Sequence, residues 1–347
     1  MEGWLQGLLE GVNALLWSQW AALGAFITVD PCREAVVDPE ALLVATCAFG
    51  GQEARIFDES LDWTIANHGL LKPWRLKRIA RAFGPEVTRT LGALLEYAAA
   101  ETGRDLFPGV REEARGVLAE VTVKELFPRE SGMYGEGGKM PDEIFLAWKL
   151  LRGKPRIRRH SGTPDPANPA NLMLRLRDYY GAGARADVVT YLLTAGGGSS
   201  HGIAEKVKYR QGMVYDVLEG LVSAGMAQKR GGRGHAYYWI DRERVAASLG
   251  LGKRLPVFLA WGDVFAAFYA VYADREENRV AYADEFLCAE RMRDLSRRVI
   301  PLLRGAGEPL SHLPAADPRR LKGGEHRDAL VAFLEGAMRV LRRYAPG

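Results

Sequence analysis

Apolar positions recur at three- and four-residue spacing over most of the chain, which predicts a mainly α-helical protein. Residues 4–23 set Trp4, Leu8, Leu15 and Trp20 in helical register, and 24–29 predict a short extended piece. Asp38-Pro39-Glu40 has the composition of a helix start, with Asp38 as cap and Pro39 in the first helical position. That helix is expected to stop at Gly50-Gly51. A second fits 54–67, with Ile56, Phe57, Leu61 and Ile65 on one face and Asn67-His68-Gly69 as its stop. A third starts near Pro73 and carries Arg75, Lys77, Arg78 and Arg81; a fourth covers 85–102.

The pattern then breaks. Residues 128–138 are loop-like, 141–151 predict a helix, and Arg152 to His160 form a basic extended run. Prolines at 164, 166 and 169 mark a linker. Helical periodicity resumes over 171–180 and again over 256–273, 282–303 and 325–344. The expected organisation is therefore multidomain. It comprises an N-terminal helical domain (1–125), a loop and basic Pro-rich linker (126–170), a central module (171–250) and a C-terminal helical domain (251–347).

The central module has a different order of elements. Residues 184–194 predict a helix with Val188, Val189, Leu192 and Leu193 inside. Gly196 to Ser200 make a turn, with Ser199 or Ser200 as cap, and 201–207 a short helix burying Ile203, Ala204 and Val207. A third helix, 211–224, buries Val214, Val217 or Leu218, Leu221 and Val222, and ends at Gly225. Residues 226–230 and 235–240 then alternate as strands around the glycine-rich tip 231–234. Three helices followed by a basic hairpin is the layout of a winged helix-turn-helix.

Such a layout carries DNA-binding chemistry. A helix can enter the major groove, where Gln pairs with adenine and Arg with guanine. Arg210, Gln211 and Tyr215 lie at the start and on the outer side of the third helix. Lys229, Arg230 and Arg233 sit on the wing, suited to phosphate or minor-groove contact, with Lys206, Lys208 and Tyr209 beside the turn.

Residues 172–245 resemble bacterial winged-helix transcriptional regulators of the MarR-like and ArsR-like kind. The matching residues run from Ala184 to Val188, Ile203 to Glu205, Val217 to Met226 and Arg230 to Tyr238. The resemblance implies double-stranded DNA as partner, with the third helix and wing as contact elements. It does not imply metal sensing, because the usual cysteine pair is absent. The expected function is sequence-specific DNA binding in transcriptional regulation. The competing reading is a winged-helix interaction or scaffold protein, as in a defence or toxin–antitoxin system.

Composition narrows this only slightly. A formal net charge of +4 permits a nucleic-acid partner without demanding one. Cys32, Cys47 and Cys288 make neither a disulfide framework nor a zinc pattern, which fits a reducing cytoplasm. The apolar stretch 255–272 holds Asp263 and predicts a buried helix, not a membrane span. The histidines show no ligand spacing, and Gly196 to Ser200 lack the lysine of a phosphate-binding loop. No enzyme, metal or cofactor is therefore expected. Asp58, Glu59 and Asp62 belong to an amphipathic helix that explains them without catalysis.

Three features stay open at this point. The basic stretch Lys72 to Arg81 is either a second DNA-binding face, part of a degenerate helix-turn-helix, or a solvated helix face. The run Arg152 to Arg159 lies either along phosphates or in a disordered linker. Trp261, Phe265, Phe268, Tyr269 and Tyr272 form a core, a dimer interface or an effector pocket. A homodimer through the C-terminal helices is favoured by the two-fold symmetry of operators.

Overall fold

The structure, a computed structural model, describes residues 2–127, 133–134, 139–232, 235–252 and 254–345. The chain is mostly helical, with a small antiparallel sheet in its central module. Helix α1 (Glu2–Ala22) leads to α2 (Pro39–Phe49), α3 (Ala54–Asn67), α4 (Pro73–Arg81), α5 (Pro85–Thr102) and α6 (Pro108–Gly116). Asp38 caps α2 as its sequence predicts, accepting from Ala41 N–H at 3.0 Å, with Pro39 inside the first turn. The helix predicted over 141–151 shortens to α7 (Glu143–Ala147). Its end becomes strand β2 (Leu150–Leu151), parallel to β1 (Lys124–Glu125).

The module contains α8 (Leu172–Tyr180), α9 (Ala184–Ala195), β3 (Gly197–Ser199), α10 (Ser200–Val207) and α11 (Gln211–Ser223). Strands β4 (Gln228–Arg230) and β5 (Tyr237–Trp239) follow, then α12 (Arg242–Ser248). The chain closes with α13 (Trp261–Glu277), α14 (Glu285–Gly305), α15 (Glu308–Ser311) and α16 (Glu325–Leu341). Among the described residues no helix is long and apolar enough to cross a membrane.

Buried side chains form two clusters. One runs from Leu5 through Leu174 and resumes from Phe258 to Ala345, so the helices before and after the module share a core. The second lies within 172–246 and belongs to the module. Trp261, Phe265 and Phe268 are wholly buried in the first cluster, which makes the aromatic stripe of α13 core. Tyr191 packs against both clusters and meets Phe258 edge-on at 4.9 Å between centroids.

The basic run after β2 is bound along its length to α3. Arg152 is buried, bonds Asp58 at 2.8 Å and lies over the rings of Phe57, Phe127 and Phe145. Arg156 N–H donates to Asp58 at 2.9 Å, and Arg158 pairs with Glu59. Asp62 accepts from Arg159 N–H at 2.6 Å, His160 N–H at 3.2 Å, and Ser161 N–H and Oγ at 3.1 and 2.8 Å. The carboxylates of α3 thus hold an extended strap. Neither reading of this run from sequence, phosphate track or free linker, contains these partners. The strap continues past Gly24, where a Cβ would stand 3.0 Å from the Thr163 carbonyl and φ is +85°. Only glycine fits both the conformation and the gap.

Candidate nucleic-acid interface

The three helices of the motif are α9, α10 and α11. Ser199 caps α10, its Oγ accepting from Gly202 N–H at 3.1 Å. Ile203, Ala204 and Val207 face inward, and the small Ala204 allows α11 to cross closely. Lys208 takes a left-handed conformation, φ 60°, that ends α10 and turns the chain into α11. Of the alternatives at the second core position of α11, Leu218 is buried and Val217 only half-buried.

The wing is a three-stranded sheet in the order β3-β5-β4. Gln228, Lys229 and Arg230 oppose Trp239, Tyr238 and Tyr237, and the other edge of β5 pairs with Gly197 to Ser199. That third strand falls where the sequence suggests a plain turn. Gly197 permits it, since a Cβ there would meet the Tyr238 carbonyl at 2.6 Å. The wing is braced from α11. Glu219 accepts from Lys229 at 2.7 Å and from the Tyr238 hydroxyl at 2.7 Å. Hydrogen bonds from Lys229 and Tyr238 hold the Glu219 carboxyl below its usual range.

The expected contact residues separate into groups. Gln211, Tyr215 and Arg230 are exposed, and Met213 and Asp216 stand exposed on α11 beside them. Lys229 is exposed but tied to Glu219. Arg233 lies outside the described residues. The remaining four are engaged by other parts of the chain. Lys208 bonds Asp263 of α13 at 2.5 Å, and Lys206 is 3.9 Å from the same carboxylate. Tyr209 is buried, and burial, then the Asp187 charge, pushes its phenol up. The Arg210 guanidinium stacks on Trp74 of α4, 4.6 Å from the ring centroid.

These contacts belong to a larger dock between module and body. Arg75 Nε of α4 donates to the Val207 carbonyl at 3.1 Å, and Arg78 donates to the Tyr209 carbonyl. Beneath them lie five buried charges: Asp38, Glu40 and Arg75 from the body, Arg177 and Asp187 from the module. Arg75 pairs with Asp38, Glu40 and Asp187. Arg177 bonds Glu40 at 2.8 Å and Asp187 at 2.8 and 2.9 Å. Three carboxylates thus face two guanidinium groups, and the N–H groups of Lys72 and Ala41 supply further donors at 2.7 and 3.0 Å. Arg75, singled out as part of a basic helix, is therefore a core residue and not a solvated cation. The partners of this dock, Asp38, Glu40, Asp187, Asp263 and Trp74, carry no local sign of the role. Each meets its counterpart only through the fold.

Among the described residues no group of His, Cys, Asp and Glu side chains has a metal-holding arrangement, and the three cysteines are free and buried. The described geometry is that of a winged helix whose α11 face and wing are open while its turn is docked. Residues 185–243, spanning α9 to the start of α12, match the family described as sugar-specific transcriptional regulator TrmB. The match supports a DNA-binding winged helix of the transcriptional-regulator type; it does not single out the MarR-like or ArsR-like kind. No curated protein and no solved structure matches the chain.

Proposed function

We propose that the protein binds double-stranded DNA in a sequence-specific manner through α11 and the wing, and acts as a transcriptional regulator rather than an enzyme. The observation that carries this reading is the open face of α11, where Gln211, Tyr215 and Asp216 stand exposed beside the basic wing. Gln suits the N6/N7 edge of adenine, and a carboxylate suits the N4 amino group of cytosine. Arg230 and Arg233 supply phosphate or minor-groove contact. Lys229 joins them by leaving Glu219. Lys206, Lys208 and Tyr209 are assigned to the dock, with Arg210 at the boundary between dock and groove. The module is taken as 171–250, and the flanking helical segments as one supporting body, because their buried residues form one cluster.

Fluorescence anisotropy with a mixed-sequence duplex over a salt series tests the reading. Binding at roughly micromolar protein or tighter, falling linearly in log–log form with salt, is expected. Gln211→Ala should lower discrimination among selected duplexes, and Arg230→Ala should weaken binding to all of them. A chain that ignores duplex DNA at about 50 mM salt overturns the reading and points to protein interaction. Dimerisation through the C-terminal helices is assigned from operator symmetry. Phe286 and Leu287 are exposed on α14 and available for it. Sedimentation showing a monomer at all protein concentrations overturns that assignment.

A further inference from the structure

We infer that α4 is part of the same nucleic-acid surface, so that a duplex seated on α11 is also held by Trp74, Lys77 and Arg81. This rests on the DNA-binding reading above. The dock fixes α4 beside the N-terminal end of α11, through Arg75 on the Val207 carbonyl, Arg78 on the Tyr209 carbonyl and Arg210 on the Trp74 ring. That end of α11 carries Gln211. A duplex with its major groove over Gln211 brings the phosphates that border the groove past α4.

Trp74, Lys77, Arg78 and Arg81 recur at the three- and four-residue spacing of one helix face, while Arg75, Leu76, Ile79 and Ala80 are buried. Trp74 is 39% exposed and the Arg81 side chain 64%. From Trp74 to Arg81 the helix rises about 10 Å, about the rise of three base pairs along a duplex axis.

The charge count favours an anionic partner. Glu113 of α6 is shared between Lys77 at 3.6 Å and Arg81 at 2.7 Å, so two cations face one carboxylate. Arg78 and Arg210 rest on a carbonyl and an indole ring, which leave their charge uncancelled. The cations that define this strip come from two sequence segments more than a hundred residues apart. Their convergence at the reading end of α11 is what the basic stretch of α4 could not show by itself.

Three variants test the inference against one selected duplex. The double variant Lys77→Ala/Arg81→Ala should lower the slope of log affinity against log salt by about 2, since each phosphate neutralised by a side chain adds close to 0.9. Glu113→Gln leaves both cations in place and removes their competitor, so it should tighten binding severalfold. Trp74→Ala should weaken binding, and Trp74→Phe should restore most of it. Thermal melting of each variant checks that the body is intact.

A merely structural α4 gives a different result. If the double variant keeps the wild-type salt slope, or Glu113→Gln fails to tighten binding, while Arg230→Ala still weakens it, α4 lies off the duplex. The DNA-binding reading then stands without it. If the wild-type chain ignores the duplex, both fall together.

Discussion

The two ends of the winged helix are held in opposite ways. At the turn between α10 and α11, Tyr209 is buried, Arg210 stacks on Trp74, and the Lys208 ammonium is bonded to Asp263. At the wing, the Glu219 brace to Lys229 and Tyr238 comes from the module itself. The turn is thus built into the body, while the wing is held within the module, by β3 and by Glu219 of α11. A basic residue next to a recognition helix can therefore serve either purpose, and its sequence position does not say which. The difference also assigns the mechanical roles. The dock sets where α11 points, and the wing takes its position from α11 through Glu219.

The strongest way to break this contrast is to remove Arg75. Arg75→Ala leaves Asp38, Glu40 and Asp187 buried with one guanidinium among them. Breaking a buried ion network from one side costs about 3–5 kcal/mol. Chemical denaturation should show a destabilisation of this size, together with exposure of Tyr209 to solvent. A change below about 1 kcal/mol would mean that the five charges are not sequestered as a unit.

Acid acts on the same cluster more gently. Burial raises the Asp38 carboxyl, but the Arg75 charge and hydrogen bond, with the Ala41 N–H, outweigh it and hold Asp38 below its ordinary 3.8. A carboxyl with a depressed folded value stabilises fully above its unfolded value and loses that contribution as pH falls through the folded one. The dock should therefore be intact at neutral pH and weaken only below about pH 4. Tyr209 fluorescence or hydrogen exchange at 207–210 should report the transition. A dock that already opens at about pH 6 would contradict the depressed carboxyl of Asp38.

What was legible in the sequence follows the range of the interactions. Asp38-Pro39 as a helix start, a cap at Ser199 or Ser200 and the core positions Val214, Val217 or Leu218, Leu221 and Val222 are local features; the structure takes Ser199 and Leu218 of the alternatives and leaves Val222 half-buried. The wing hairpin is nearly as local. Arg75 and Val207 lie 132 positions apart, and Asp62 lies 97 to 99 positions before the strap it binds. No window of helical or strand periodicity contains both members of such a pair. The strap illustrates the cost. Arg152 to Arg159 has the composition of a free basic segment, and only the fold brings Asp58, Glu59 and Asp62 against it.

That strap gives the next, smaller effect. Asp62→Ala removes the acceptor for three backbone N–H groups and the Ser161 hydroxyl. Leaving such donors without a partner costs roughly 1–3 kcal/mol. Limited proteolysis should cut the variant between 156 and 163 faster than the wild type, with the winged helix protected. Equal cleavage rates would show that the strap is held mainly by Arg152 and its rings.

The smallest effect on stability, and the sharpest test of the free wing, comes from Glu219. It sits at the surface, and exposed ion pairs contribute little to folding. Glu219→Gln should leave the melting temperature unchanged while releasing Lys229, whose ammonium the carboxylate now holds. On a wing that touches DNA, a freed lysine adds one phosphate contact, so affinity should rise and the salt slope should steepen by about 1. Lys229→Ala in the same background should return both to the wild-type level. If Glu219→Gln lowers affinity instead, the carboxylate matters more as a brace on the Tyr238 hydroxyl than as a competitor for Lys229. The wing would then be a rigid element, held as firmly as the turn, and the contrast between the two ends would disappear.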